Sequence, residues 1–360
     1  MAYTTIDKPT NYFDTLIYSG NASNPRTLSG LDFQPDWVWQ KNRTDNNGHT
    51  LADSVRGANK TLDSSGTGAE LTDKDDGHLD AFTSDGFTVG AGSSGDARVN
   101  DGSHTYVAWN WKAGTSFSND ASSTSVGTID SVGSVNQDAG FSIISYTGIG
   151  GTNQSVAHGL GATPKFIIIK PRSAAGYWCV TNPRFASVSD PNILYLQLSN
   201  GGEADDTNIN GTTAPSSTVF GVDDYNAVNT NGRTHIAYCF TPIKGYSSMG
   251  TYVGNSSTNG TFVYTGMKPA WVMFRKAAGT GSWAIQDNKR TSFNVQKKSL
   301  FANLTDVETD STNDAVDFLS NGFKFKSDTA NYNTDGDAYI YMAFAEQPFV
   351  TSTGVPATAR

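Results

Sequence analysis

Short apolar runs that alternate with polar residues recur along the chain, separated by clusters of Gly, Ser, Thr, Asn and Asp. That period of two predicts β-strands joined by turns. Three runs share one form: Pro35-Asp36-Trp37-Val38-Trp39-Gln40-Lys41-Asn42-Arg43, Pro164-Lys165-Phe166-Ile167-Ile168-Ile169-Lys170-Pro171-Arg172 and Pro269-Ala270-Trp271-Val272-Met273-Phe274-Arg275-Lys276. Each is a proline, one residue, an aromatic, apolar β-formers and then two basic residues close together. Proline opens a strand but cannot donate inside a ladder, so each marks the entry to a buried strand.

Other landmarks keep fixed distances from these prolines. A Tyr-x-Gly stands 17, 18 and 17 residues before them, at Tyr18, Tyr146 and Tyr252. Alternating segments starting at Tyr106, His235 and Tyr339 begin 71, 71 and 70 residues after them. Three landmarks in one order at near-constant spacing predict an internal repeat. Units of this length are tandem domains and not solenoid turns, and at roughly 100–200 residues per domain a chain of 360 residues accommodates three.

The predicted fold class is therefore all-β, with three tandem β-sandwich domains of jelly-roll or lectin-like kind. The expected division is an N-terminal arm at 1–12, repeats at 13–114, 139–245 and 246–350, a linker at 115–138 and a tail at 351–360. The arm reads either as a loose terminus or as a segment that docks on a larger particle. Thr115 to Gly127 holds almost no large apolar group, so it is expected as an exposed linker or a strap on a neighbour. Repeats two and three are closely coupled on this reading, and repeat one is set apart.

Composition narrows the function. The net charge is −9 and the pI near 4.9, with acids scattered through turns, which disfavours nucleic-acid binding. The opening Met1 to Pro9 has neither a basic n-region nor an apolar h-region, and no apolar run approaches about 18 residues, so a protein without membrane insertion, made in a cytoplasm, is expected. Cys179 and Cys239 are expected as buried free thiols, with a disulfide as the alternative.

Candidate chemistry is sparse. None of the five histidines stands at a metal-ligand spacing, and His158, before Gly159-Leu160-Gly161, reads as a turn residue. No nucleophile elbow or phosphate loop appears, so the expectation is no enzyme and no cofactor. Two acidic stretches, Asp73 to Asp80 and Asn331 to Gly336, approach a calcium loop but miss its ligand positions, and read as solvated turns; no metal site is expected. Asp53-x-x-Arg56 and Asp287-x-x-Arg290 both sit 18 to 21 residues past their prolines and read as ion pairs tying a loop to a strand, whereas the second repeat has Asn182-Pro183-Arg184. Trp37, Phe166, Trp271, Tyr106, Trp109, Trp111, Phe240 and Phe344 are expected in the core, because they lie on the alternating faces of repeat strands. Glycan-contacting aromatics should instead come from loops that differ among the repeats, and Tyr177, Tyr225 and Tyr332 are the candidates.

The segments Met1 to Asp7, Phe33 to Arg43, Ala52-Asp53-Ser54-Val55-Arg56-Gly57-Ala58, Gly250 to Asn255, Phe318 to Lys324 and Tyr339 to Glu346 resemble virion proteins of tailed bacteriophages, particularly those of marine bacteria. The resemblance spans nearly the whole chain. It implies a non-catalytic structural protein, with a tail fibre or receptor-binding component first, whose repeated sandwiches extend reach and present loops to a host surface. A capsid decoration or head-fibre protein comes second, and a polysaccharide depolymerase last. The implied location is the virion, and the implied partners are other tail or capsid proteins, a host-surface glycan or receptor, and further copies of the chain, as in a trimer.

Overall fold

A computed structural model describes residues 2–72, 77–90, 98–182, 193–200 and 209–358. The first repeat forms β1 (Phe13–Ser19), β2 (Arg26–Ser29), β3 (Trp37–Asn42), β4 (Thr50–Asp53), β5 (His78–Thr83), β6 (Gly86–Gly90) and β7 (Thr105–Trp111). Next come β8 (Thr115–Asn119) and β9 (Ser131–Asn136). The second repeat contributes β10 (Phe141–Thr147), β11 (Gln154–Ala157), β12 (Phe166–Pro171), β13 (Cys179–Thr181), β14 (Leu194–Tyr195), β15 (Val219–Val222) and β16 (Thr234–Phe240). The third contributes β17 (Ser247–Val253), β18 (Phe262–Tyr264), β19 (Met267–Lys276), β20 (Ala284–Asp287), β21 (Lys298–Phe301), β22 (Thr309–Asp310), β23 (Val316–Leu319), β24 (Gly322–Phe325) and β25 (Ala338–Pro348).

The fold is all-β, and each repeat builds its main sheet in the same order: β1-β7-β3-β4, β10-β16-β12-β13 and β17-β25-β19-β20. A proline-led strand is thus always flanked by the last strand of its repeat and by the strand that follows it. Smaller sheets, β2-β6-β5, β11-β15 and β18-β24-β23, accompany the three main ones. Because neighbouring strand residues point to opposite faces, Val38, Ile167 and Val272 pack into three separate clusters with the small sheets, around Phe87, Phe220 and Phe323.

The opposite faces do not meet water. Trp37, Trp39, Trp109 and Trp111 from the first repeat join Phe166, Ile168, Tyr238 and Phe240 from the second and Trp271, Met273, Met342 and Phe344 from the third in one cluster. Trp37 stacks on Tyr238 with centroids 4.3 Å apart, Trp111 meets Trp271 edge-on at 5.6 Å, and Phe166 meets Trp283 at 6.2 Å, so every pair of repeats is in aromatic contact. This explains why β3 and β12 are buried at every position. The expected setting-apart of the first repeat, and a string of sandwiches extending reach, are corrected by this shared core. Each main sheet is covered on both faces, and one of them always faces the other two repeats.

The polar stretch expected as a linker contributes two strands to the second main sheet: β9 pairs with β10, and β8 with β9. An edge strand needs backbone groups and no large side chains, which is why so apolar-poor a segment still pairs. The N-terminal arm is docked where the end of the second repeat meets the third. Ile6 enters the shared core, Thr4 Oγ1 donates to Lys244 O, and Tyr3 OH donates to Gly266 O. Cys179 and Cys239 are buried and form no disulfide. Among the described residues no helix is long and apolar enough to cross a membrane.

A core common to all three repeats should unfold as one unit. Calorimetry is expected to give a single transition, and Trp37→Ala should lower that transition as a whole, at a cost of about 3–5 kcal/mol for a buried tryptophan. Three separable transitions, with Trp37→Ala moving one of them, would contradict the shared core.

Candidate functional site

The charged motifs lie at the seams between repeats. Asp53, at the end of β4, and Arg56, in the turn after it, form an ion pair with no exposed side-chain surface. The arginine also donates to Leu51 O (2.8 Å) and Lys60 O (3.2 Å). Tyr238 of the second repeat donates its hydroxyl to Asp53 Oδ2 at 2.7 Å. Glu70 links Arg56 (3.2 Å) to Arg172 of the second repeat (2.9 Å).

The third repeat does the same to the first. Asp287 and Arg290 pair at 2.6 Å with no exposure, Trp109 Nε1 donates to Asp287 Oδ2 at 3.0 Å, and Glu308 links Arg290 (3.0 Å) to Arg43 (2.8 Å). At the remaining seam Asn182 stands where the acid would be, and Met342 where the donor would be. Ala277 occupies the place of Arg43 and Arg172, eight residues past the proline. Arg184 lies outside the described residues. These groups are buried and hydrogen-bonded to one another, so they hold the repeats together and offer nothing to a substrate.

Two further sets of seam residues keep the repeat spacing and were not singled out from the sequence. Fourteen residues past the prolines stand His49, Trp178 and Trp283. Trp178 Nε1 donates to Asp63 O and Trp283 Nε1 to Tyr195 O, both at 2.9 Å, while His49 Nε2 lies 3.0 Å from Phe301 O. Because His49 Nδ1 accepts from Trp39 Nε1, Nε2 carries the proton and is the donor. Six residues past the prolines stand Lys41, Lys170 and Arg275, all fully buried. Lys41 Nζ donates to Thr305 O (3.1 Å), Lys170 Nζ to Gly68 O (2.7 Å) and Arg275 Nη1 to Tyr195 O (3.2 Å). Burial pulls both lysines down to about 8. In each set the first repeat donates to the third, the second to the first and the third to the second. A head-to-tail contact repeated in one sense closes a ring.

One of several clefts open to solvent, of about 330 Å³, lies where the first and second repeats meet and is lined by Thr67, Gly176, Tyr177, Tyr225, Asn226 and Arg233 among others. It brings together two of the three aromatics expected to contact glycan. Tyr177 is 41% exposed and lies against Tyr195, centroids 4.8 Å apart, and Tyr195 OH is 2.9 Å from Tyr225 OH. The walls are rigid for local reasons. Tyr177 precedes Trp178, which is fastened to Asp63 O, and Gly176 N donates to Thr67 O across the seam at 2.9 Å. Tyr225 O accepts from both Val228 N and Asn229 N, closing a tight turn.

Tyr332 is the exception and is corrected: it is 1% exposed, packed in the core of the third repeat against Phe274, so it contacts no external ligand. The residues expected as core, Trp37, Phe166, Trp271, Tyr106, Trp109, Trp111, Phe240 and Phe344, are each at most 1% exposed. His158 sits in a turn, accepting from Leu160 N at Nδ1 and lying 3.1 Å from Ser216 O at Nε2. Asn333 of the second acidic stretch uses its amide on Asn255, Ser257 and Ser327. Of the first stretch, residues 73–76 lie outside the described residues. Among the described residues no three His, Cys, Asp or Glu side chains are grouped as metal ligands.

Residues 8–348 match the family described as a domain of unknown function, DUF7483. No curated protein matches the chain.

Burial pushes Glu70 and Glu308 up, but the arginines on either side outweigh it and hold each carboxyl below its ordinary 4.5. Their stabilisation is therefore complete above about pH 4.5 and is lost as the pH falls through the lowered folded value. The double variant Glu70→Gln with Glu308→Gln should be less stable at neutral pH and should show a shallower loss of stability on acidification, read by urea unfolding from about pH 7 to pH 3. Parallel curves for the two proteins would show that these carboxylates do not carry the acid sensitivity.

Proposed function

The chain belongs to the DUF7483 family, and on that premise we propose that it is a non-catalytic structural component of a bacteriophage virion that adheres to a host-surface glycan through the Tyr177 cleft. The observation that carries this reading is how the side chains divide. The Asp-x-x-Arg pairs, the buried cations and the tryptophans are engaged within the seams, while Tyr177 is held at the surface by a rigid wall, with an amide and a guanidinium beside it. An exposed aromatic face with adjacent polar groups is the ordinary means of holding a sugar ring without chemistry. The virion setting rests on the resemblance of the chain's repeated segments to tailed-phage structural proteins.

Decoration of a capsid is the second reading, and one feature favours it. Three repeats closed around one core form a block and not a shaft, so the chain adds little reach of its own. A tail-fibre role then places this block at an adhesive end, with other virion proteins supplying the length.

The adhesive reading predicts that purified protein binds host cells and competes with infection. Tyr177→Ala should abolish that binding while leaving the melting temperature within about 2 °C, as expected for a side chain at the surface. Binding to capsids and not to cells would favour decoration, and shortening of a host polysaccharide on incubation would overturn the non-catalytic reading.

A further inference from the structure

The Tyr177 cleft differs from its counterparts at the two positions that matter most for a ligand. Thirteen residues past the proline the second repeat has Tyr177, where the first has Gly48 and the third Ser282. Two residues before the start of the last strand segment it has Arg233, where the others have His104 and Asp337. In the third repeat that acid is engaged by Lys276 at 2.6 Å. The repeat framework therefore needs neither an aromatic at the first position nor a cation at the second.

Arg233 is the single charged group among the residues lining the cleft, on a chain whose net charge is −9. Its Nη1 donates to Asn226 O at 2.9 Å, which holds one end of the guanidinium. Among the described residues no carboxylate pairs with it, and its Nε and Nη2 are not engaged. A guanidinium held at one end with its Nε–Nη2 edge open matches a carboxylate through two parallel hydrogen bonds. Buried Lys170 donates to Gly68 O behind the same wall and adds to the positive field. Tyr177 offers a ring face at the cleft, and Asn226 is exposed beside it.

Resting on the adhesive reading above, we infer that the ligand of this cleft is an acidic saccharide, with a sugar carboxylate on the free edge of Arg233 and a ring face against Tyr177. A neutral sugar leaves the guanidinium edge unused, and a simple carboxylate leaves Tyr177 unused.

The test uses the full chain and oligosaccharides of matched length, one set carrying uronic acids and one neutral, with acetate as the bare carboxylate, followed by titration calorimetry and saturation-transfer NMR at low and high salt. The uronate set should bind, with affinity falling as salt rises. Arg233→Gln should weaken it by about tenfold or more, the loss expected of a charged hydrogen-bonded contact, and Arg233→Lys should recover part of it. Melting curves of both variants should overlay that of the parent, since Arg233 is only half-buried. Equal binding of neutral and uronate sets, or indifference to Arg233→Gln, would overturn the acidic ligand and leave a glycan cleft in place. Saccharide binding that survives both Tyr177→Ala and Arg233→Gln would overturn the cleft itself, as would binding of acetate as tight as that of the uronates. Host-cell binding with no saccharide bound would overturn both the ligand and the glycan reading.

Discussion

Each proline-led sheet has to bury both of its faces, and most of what is distinctive in the molecule follows from that. One face is covered by the small sheet of the same repeat. The other carries Trp37, Phe166 or Trp271 and finds no cover except the equivalent faces of the other two repeats. The residues that follow the aromatic then run into the protein's middle, and the cations six residues past each proline are buried with them. A buried ammonium must be fully hydrogen-bonded or lose its proton. Lys41 and Lys170 accordingly reach backbone carbonyls both on their own strand and on the neighbouring repeat, and burial still brings them down to about 8.

The seams show how far a charged cluster depends on its partner. Asp53 and Asp287 are each met by a donor from the adjoining repeat, Tyr238 and Trp109, and each has a glutamate and a second arginine close by. At the third seam Met342 offers no donor, Ala277 no arginine, and the acid has become Asn182. An unpaired carboxylate in such a place would be strongly destabilising, because its desolvation is not offset. The three changes belong together physically: once the donor is gone, the neutral amide is the cheaper occupant.

Much of the fold was legible in the sequence, and the gaps have physical causes. The proline, the aromatic two residues on and the final alternating strands marked the main sheets because strand periodicity is local. Their spacing alone also placed Asp53 with Arg56 and Asp287 with Arg290. The same ruler, extended by six and fourteen residues, picks out Lys41, Lys170 and Arg275, and His49, Trp178 and Trp283. Their role was hidden because their partners are backbone carbonyls of another repeat, which no side-chain pattern announces. The apolar face of each sheet read as the inside of its own sandwich, since alternation says that a face is buried and not what buries it. Segment 115–138 reads as a linker or a strap, and it is a strap made of strands: edge pairing is done by the backbone, so poor apolar content does not preclude a strand. For Tyr332, divergence among the repeats suggested a surface role, while packing against Phe274 and Phe325 placed it inside.

That last contrast bears on where recognition can arise in a repeated chain. In the shared core and at the seams the side chains are engaged with one another and are not free to serve a ligand. Divergence is permitted at loop positions, but permission is not exposure, as Tyr332 demonstrates. Tyr177 meets both conditions. It stands where the other copies have glycine and serine, and it is one residue from Trp178, whose bond to Asp63 O ties it to the seam that Arg172 and Glu70 also bridge. The adjacent framework fixes the position of the ring and leaves the residue 41% exposed. A binding residue attached in this way gains pre-organisation from contacts that the fold makes for its own stability.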